Sequence, residues 1–367
     1  MQTNGTDNLY KSLSRAIFLT TGIIILLWFL FKIISVVLLL LFAIVLALII
    51  NHPVTWLEKK NIKRGWASFI VFGFILLALV LLAWFIVPKI SEQLSTLIDN
   101  LPEYANRLSV TAGSWFSNYP EVQKEIRIDA ENISEWMPSV PKTLIQVGNL
   151  SLTLLGGLVI FIIFVSMVVY AVTNPRPLVE LYLSIFPPVQ RDKAATALRK
   201  TSVMLIGWIR ANLIGGGIEA VLVTAFLSFM NVPGAWVWGA LAFFAELIPK
   251  IGFYIMSIPP VLVALSVSPS TVIWVTIFFL ALNELMGDFA MPRLRSSTMN
   301  LHPVSSLFIL LAMGSAFGLT GALMATPLAA IIKAYYEEFY LSRFKDDQSM
   351  DKRIDAVIYH KLDTDGD

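Results

Sequence analysis

Not one of the 367 residues is cysteine, so disulfides, zinc–thiolate centres and thiol nucleophiles are all excluded. Histidine is almost as scarce. His52, His302 and His360 stand far apart, no HExxH pair occurs, and neither a GxSxG nucleophile elbow nor a Walker loop is present. Metalloprotease, serine-hydrolase and ATP-driven chemistries therefore lack their parts, an enzyme is not expected, and neither is a metal, another cofactor or a nucleic-acid partner. Charge is thin too: 14% of residues are charged, where a soluble domain carries about 25%.

What fills the space is apolar. Hydrophobic residues make up 57% of the chain and the mean hydropathy is +0.74. Solid apolar runs of 17 or more residues recur along it, as in an all-α polytopic membrane protein embedded in a lipid bilayer. A transmembrane barrel would instead alternate over ten-residue segments. The first run, Ala16 to Ile50, is too long for a signal peptide, and Lys32 divides it into stretches of 16 and 18 residues. Each would just span a hydrocarbon core of ~30 Å, which favours a helical hairpin with Lys32 snorkelling at its tip. One long tilted span is the alternative.

Four regions follow. Residues 1–87 hold the N-terminal hairpin and a third span, Trp66 to Val87. Residues 88–148 carry eight acidic against five basic residues, with Leu94, Leu97, Ile98 and Leu101 at helical spacing, and are expected to form an extracytoplasmic amphipathic helical insertion. Residues 149–340 are the C-terminal transmembrane core, and 341–367 a polar cytoplasmic tail. Lys11, Arg15, the Lys59–Arg64 cluster and the basic residues between Arg176 and Lys200 all satisfy the positive-inside rule on one side. Both termini are accordingly expected in the cytoplasm. The total comes to about eight transmembrane helices plus one broken or re-entrant element.

Ionisable groups inside an apolar span are costly, at ~2.5–3.5 kcal/mol each on insertion scales, and mark interiors or wet passages. Glu219, Glu246, Glu284 and Asp288 are the four such acids. Glu284 and Asp288 are four apart on one helix face beside Asn283; an interfacial position for them stays open. Met286-Gly-Asp288 has the look of half an intramembrane aspartyl-protease dyad, but no second buried aspartate completes it. Glu246 and Lys250 can pair four apart, yet Pro249 removes a backbone donor between them. Ile248-Pro-Lys-Ile-Gly252 is therefore expected to be a break between two spans, at mid-depth or at a surface. Gly215, Gly216 and Gly217 allow either close packing or a bend. Gly314 and Gly318, at GxxxG spacing, with Gly321 and Pro327 beyond them, suit a packing face or a broken helix.

The ordered motifs Glu246-Leu-Ile-Pro-Lys-Ile-Gly252, Ser257-Ile-Pro259, Gly287-Asp-Phe-Ala-Met-Pro-Arg293, Leu301-His-Pro303 and Gly318-Leu-Thr-Gly-Ala-Leu-Met-Ala-Thr-Pro327 resemble those of the autoinducer-2 exporter family, bacterial inner-membrane proteins also described as permeases. Pro88, Gln93, Leu101-Pro102 and Val232-Pro233 fit the same pattern. The chain departs from it at Lys250, at Phe253–Met256, at Asp288 in place of a common asparagine and at Glu219 in place of an apolar residue. The resemblance implies a multi-pass inner-membrane transporter of roughly eight spans and a homo-oligomer, a pentamer being one count. Some relatives are associated with export of the quorum-sensing signal, others with sodium(lithium)/proton antiport. For this chain it points to export of a small solute, with proton coupling, through a pathway of Asn212, Glu219, Glu246, Pro249, Lys250, Gly252, Asn283, Glu284 and Asp288. Glu246 and Asp288 are the expected proton or cation carriers and Gly314–Pro327 the moving element. A cation/proton antiporter is the alternative within transport, and a non-transporting scaffold or channel the alternative outside it.

Overall fold

The computed structural model describes residues 4–115, 151–248, 251–295, 299, 301–343 and 348–359. Most of the acidic insertion, with Pro249 and Lys250, lies outside the described residues. Within them the chain is helical and no strand occurs. We number the helices α1 (Asn4–Glu58), α2 (Arg64–Trp115), α3 (Ser151–Thr173), α4 (Pro175–Ser184), α5 (Arg191–Phe229), α6 (Ala235–Ala245), α7 (Ile251–Val263), α8 (Pro269–Glu284), α9 (Met291–Arg295), α10 (Pro303–Phe339) and α11 (Gln348–Tyr359). A π-helical segment, Leu285–Ala290, joins α8 to α9.

Among the described residues six helices are long and apolar enough to cross a membrane: Leu13–Glu58, Arg64–Asn100, Gly156–Thr173, Pro188–Phe229, Pro269–Leu294 and Pro303–Phe339. Large apolar side chains such as Phe18, Phe74, Trp84 and Phe161 stand exposed on their outer faces, where acyl chains replace water as solvent. α6 and α7 are a different matter. With 11 and 13 residues they reach ~16 and ~20 Å, short of the ~30 Å core.

The hairpin expected at Lys32 is corrected: Asn4–Glu58 is one continuous helix. A reversal needs turn chemistry from glycine, proline or asparagine, and Phe31-Lys-Ile-Ile offers none. Lysine alone does not stop a helix, because its stem lies along the apolar surface while the ammonium reaches outward. From Arg15 to Lys32 every residue is exposed, and packing begins only beyond. One straight helix of 55 residues carries its two ends ~80 Å apart. The two-crossing argument that set Lys11 and Arg15 beside Lys59–Arg64 therefore loses its basis. The expected third span is likewise only the first half of α2, which runs on past Pro88 and Pro102 to Trp115. The first 28 residues of the acidic insertion thus continue a span.

Three buried clusters hold the bundle. Val54, Ala67 and Val168 join α1, α2 and α3. Val45, Leu205 and Met324 join α1, α5 and α10, and Ile248 and Ile251 pack against this group. Leu227, Trp238, Phe253 and Val275 join α5 to α8. At the basic end of the bundle Arg64 ties three strands of chain together. Its Nε donates to the Val172 carbonyl oxygen at 2.9 Å, Nη1 meets Glu58 at 2.9 Å, and Nη2 donates to Asn51. Lys200 pairs with Glu338 at 2.8 Å at the same end. Methionine at position 64 fills the space but orphans the Val172 carbonyl, so Arg64→Met should cost about 2 kcal/mol, read as a lower midpoint of thermal unfolding in detergent. Lysine, with one point charge instead of a planar fork, should recover only part of it.

Candidate functional site

α5 brings the polar residues together. Its buried face runs through Thr201, Trp208, Asn212, Gly215, Gly216 and Glu219, which recur at three-, four- and seven-residue spacing. The helix is continuous through its three glycines, and two of them are packed against neighbours. A Cβ on Gly215 would lie 2.6 Å from Met291 Sδ, and one on Gly216 would lie 2.8 Å from the Phe243 carbonyl oxygen. Gly217 faces open space. One turn further along, a Cβ on Gly239 would collide with Thr224. α6 and α9 can approach this face of α5 so closely only because side chains are missing there.

That approach delivers Glu246 to Glu219. Glu246 caps the carboxyl end of α6 and is 7% exposed, while Glu219 is 1% exposed. The two carboxylates lie within electrostatic range of each other, and Glu219 Oε2 has no hydrogen-bond partner among the described residues. The break after Glu246 is tight: the Gly252 amide donates to the Ile248 carbonyl oxygen at 3.0 Å, and a Cβ on Gly252 would meet the Ala245 carbonyl oxygen. Asn283, 9% exposed, and Met286, 5% exposed, are buried one turn apart on α8 and the π segment, and Met286 lies near Gly215 of α5.

Glu284 and Asp288 go elsewhere. They share a helix face as their spacing requires, but that face is exposed, with Asn283 and Met286 taking the inner one. Tyr254 Oη donates to Glu284 Oε1 at 2.9 Å on the outer surface of α7 and α8. The structure thus buries Asn212, Glu219, Glu246, Gly252 and Asn283, and leaves Glu284 and Asp288 on an exposed face. Trp208 was not among the expected residues. Its indole is buried one turn before Asn212, with Nε1 lacking an acceptor among the described residues, and its place four residues ahead of Asn212 on one face was the available signal.

Gly318 breaks α10 with φ 60° and ψ −143°, a backbone region open essentially to glycine alone. The reversal folds Met313 onto Gly321, eight residues that a straight helix would hold ~12 Å apart. Gly314 makes only an ordinary contact with Ala322, and Pro327 is buried in the helix that follows.

Two carboxylates buried near each other are unfavourable unless a proton or a cation offsets their charge. Such a pair beside a broken helix inside a polytopic bundle suits passage of solutes or ions. The relatives fit that reading. "Putative permease PerM" of Escherichia coli (strain K12) is 26% identical over 301 residues, covering 80% of this chain and 85% of its own. "Putative transport protein YueF" of Bacillus subtilis (strain 168) is 22% identical over 301 residues, 78% of this chain and 80% of its own. "Putative transport protein YhhT" of Escherichia coli (strain K12) is 26% identical over 314 residues, 81% and 83% respectively. The family model described as AI-2E family transporter matches residues 17–341, a stretch that contains every element of the buried site, and the chain belongs to that family of membrane transporters.

Proposed function

We propose that the protein is a secondary transporter of the bacterial inner membrane that exports a small polar solute of the autoinducer-2 kind, driven by protons. The buried pair of Glu219 and Glu246 carries this reading, because one proton halves the charge of two neighbouring buried carboxylates and can be handed on when the site opens. One proton moving through 100 mV is worth ~2.3 kcal/mol, enough to bias export against a concentration gradient. The basic end, with Lys59, Lys63, Arg64, Arg191 and Lys193, faces the cytoplasm, and so does the C-terminal tail.

α6 and α7 are too short to cross singly. Their outer ends share one neighbour, since Gly234 packs against Gln93 of α2 and the Ala264–Ser266 turn lies along the same helix. The two therefore act as one re-entrant hairpin with Glu246 at its tip, deep in the bundle. With the six long helices they make eight apolar helices among the described residues, one element fewer than the eight spans and one broken helix read from the sequence, because the Lys32 hairpin is a single helix; the Gly318 reversal in α10 is the second discontinuity and the moving element. Discontinuous helices of this kind hold substrate and ion sites in transporters. The protein works as a homo-oligomer, a pentamer being the count its family resemblance suggests.

The same pair supports one other reading, sodium or lithium exchange for protons, because two carboxylate groups also suit a monovalent cation. Proteoliposomes separate the two. With an outward-directed solute load and an imposed pH gradient, solute efflux that does not depend on sodium is the expected result. Sodium-dependent proton movement without solute flux would replace export by antiport, and no flux of either kind would leave a scaffold.

A further inference from the structure

α4 lies where a span ends. It starts two residues after α3, with Asn174 between them, and the Pro188–Gln190 turn leads from it into α5. One side of it is fastened to the bundle. Tyr182 Oη donates to the Ala194 carbonyl oxygen at 3.0 Å, which leaves its lone pairs to accept from Tyr335 of α10. Phe186 stacks on Phe339 at 5.7 Å between ring centroids. Burial, and then the Tyr335 hydrogen bond, holds the Tyr182 hydroxyl well above its usual range, so this fastening keeps its protons at any physiological pH. A second side is polar, with Arg176 and Glu180 paired at 2.9 Å.

The third side is neither fastened nor polar. Leu178, Leu181 and Ile185 fall at spacings of three and four, and Val189 stands beyond them on the Pro188–Gln190 turn. They are 49%, 63%, 74% and 91% exposed in chain order. Arg176 and Arg191 flank the row and are exposed themselves. A short helix with an apolar stripe, a polar side and cations at its edges suits the plane of a membrane interface, the stripe just below the headgroups. Its position directly between two membrane-spanning segments already puts it at that depth.

We propose that α4 and the Pro187–Gln190 turn form an in-plane anchor seated in the leaflet at the basic end of the bundle. Leu178, Leu181, Ile185 and Val189 enter the acyl boundary, and Arg176 and Arg191 bind the headgroups of anionic phospholipids. The occupant is the bilayer itself, chosen over a soluble partner protein by the flanking cations and the continuity with the spans. Through Tyr182 and Phe186 the anchor holds the inner end of α10, so lipid composition acts on the helix that carries the Gly318 break.

The absence of cysteine makes the test direct, since each introduced thiol gives a single labelling site. Nitroxide labels go on Leu181→Cys, Ile185→Cys and Val189→Cys, with Glu180→Cys and Ser184→Cys as polar-side controls. The full-length protein is reconstituted in phosphatidylcholine vesicles with and without phosphatidylglycerol. Collisions with oxygen should dominate at 181, 185 and 189, and collisions with an aqueous nickel chelate at 180 and 184. Labels at 185 and 189 as open to nickel as the controls, in both lipids, would overturn the anchor and leave the stripe to a soluble partner. Arg176→Gln and Arg191→Gln should each lower the phosphatidylglycerol retained on the purified protein about fivefold, at ~1 kcal/mol per cation. Retention unchanged in both variants would overturn the headgroup assignment.

Discussion

Glu219→Gln is expected to reduce proton-driven flux by an order of magnitude or more while leaving the protein at least as stable as before. The two halves of that result come from the same observation. Glu219 is 1% exposed and its Oε2 lacks a hydrogen-bond partner among the described residues, so the carboxylate contributes little that holds the bundle together. Glutamine keeps its shape and removes a group whose burial is unfavourable, so the midpoint of thermal unfolding in detergent should hold or rise. A residue whose loss stabilises a protein and stops its work belongs to the function rather than to the fold. A tenfold loss of flux corresponds to about 1.4 kcal/mol, well within what one coupling group supplies.

Glu246→Gln should behave alike. If one proton is shared between the two side chains, the double variant should lose about as much flux as either single one, the non-additivity expected of groups acting as a unit. Asp288→Asn supplies the contrast, because its side chain stands on the exposed face of the π segment, away from the pair. Its response to an imposed pH gradient should survive. Wild-type gradient dependence in both Glu219→Gln and Glu246→Gln would remove the coupling role from this site.

How much of this the sequence disclosed depends on the kind of signal. The all-helical class was legible because apolar runs of this length have few other uses, and the break at Glu246–Gly252 because proline and glycine act locally. The side that each helix turns inward was not. In a soluble helix polar residues mark the outer face, but here α8 is apolar all round, and both sides of Asn283 and Glu284 look alike until neighbours are placed. The spacing of Glu284 and Asp288 gave their common face; only the packing of Met286 against α5 decides that this face is outward. Lys32 misled for a related reason. A charge in an apolar run marks where the chain meets water in a short helix, yet a long one carries it along its side. Among Gly314, Gly318 and Gly321, composition offered three candidate breaks, and the backbone chooses one by its positive φ.

The largest expected loss of stability comes from Gly321→Ala. A Cβ there would collide with the carbonyl oxygen of Met313 and lie 2.7 Å from its carbonyl carbon and 2.8 Å from Phe317 Cβ. The obstacle is backbone on one side and a Cβ on the other, neither of which can swing away, so the two halves of α10 must separate. Overpacking of this sort costs about 3 kcal/mol, and at the ~2–4 °C per kcal/mol of a 150–250-residue domain the unfolding midpoint should fall by roughly 6–12 °C. Gly318→Ala acts differently. Nothing lies within 4 Å of a Cβ at that position, so the penalty is the backbone conformation alone, about 1–3 kcal/mol. That strain is relieved if residue 318 turns helical and α10 straightens. Labels on Val304→Cys and Ile332→Cys, both exposed, report it: they should be far closer in the parent than the ~42 Å of a straight helix, and move toward that value in Gly318→Ala. Equal separations in the two proteins would show that the break is imposed by its surroundings rather than by glycine, and α10 would then lose its standing as the moving element.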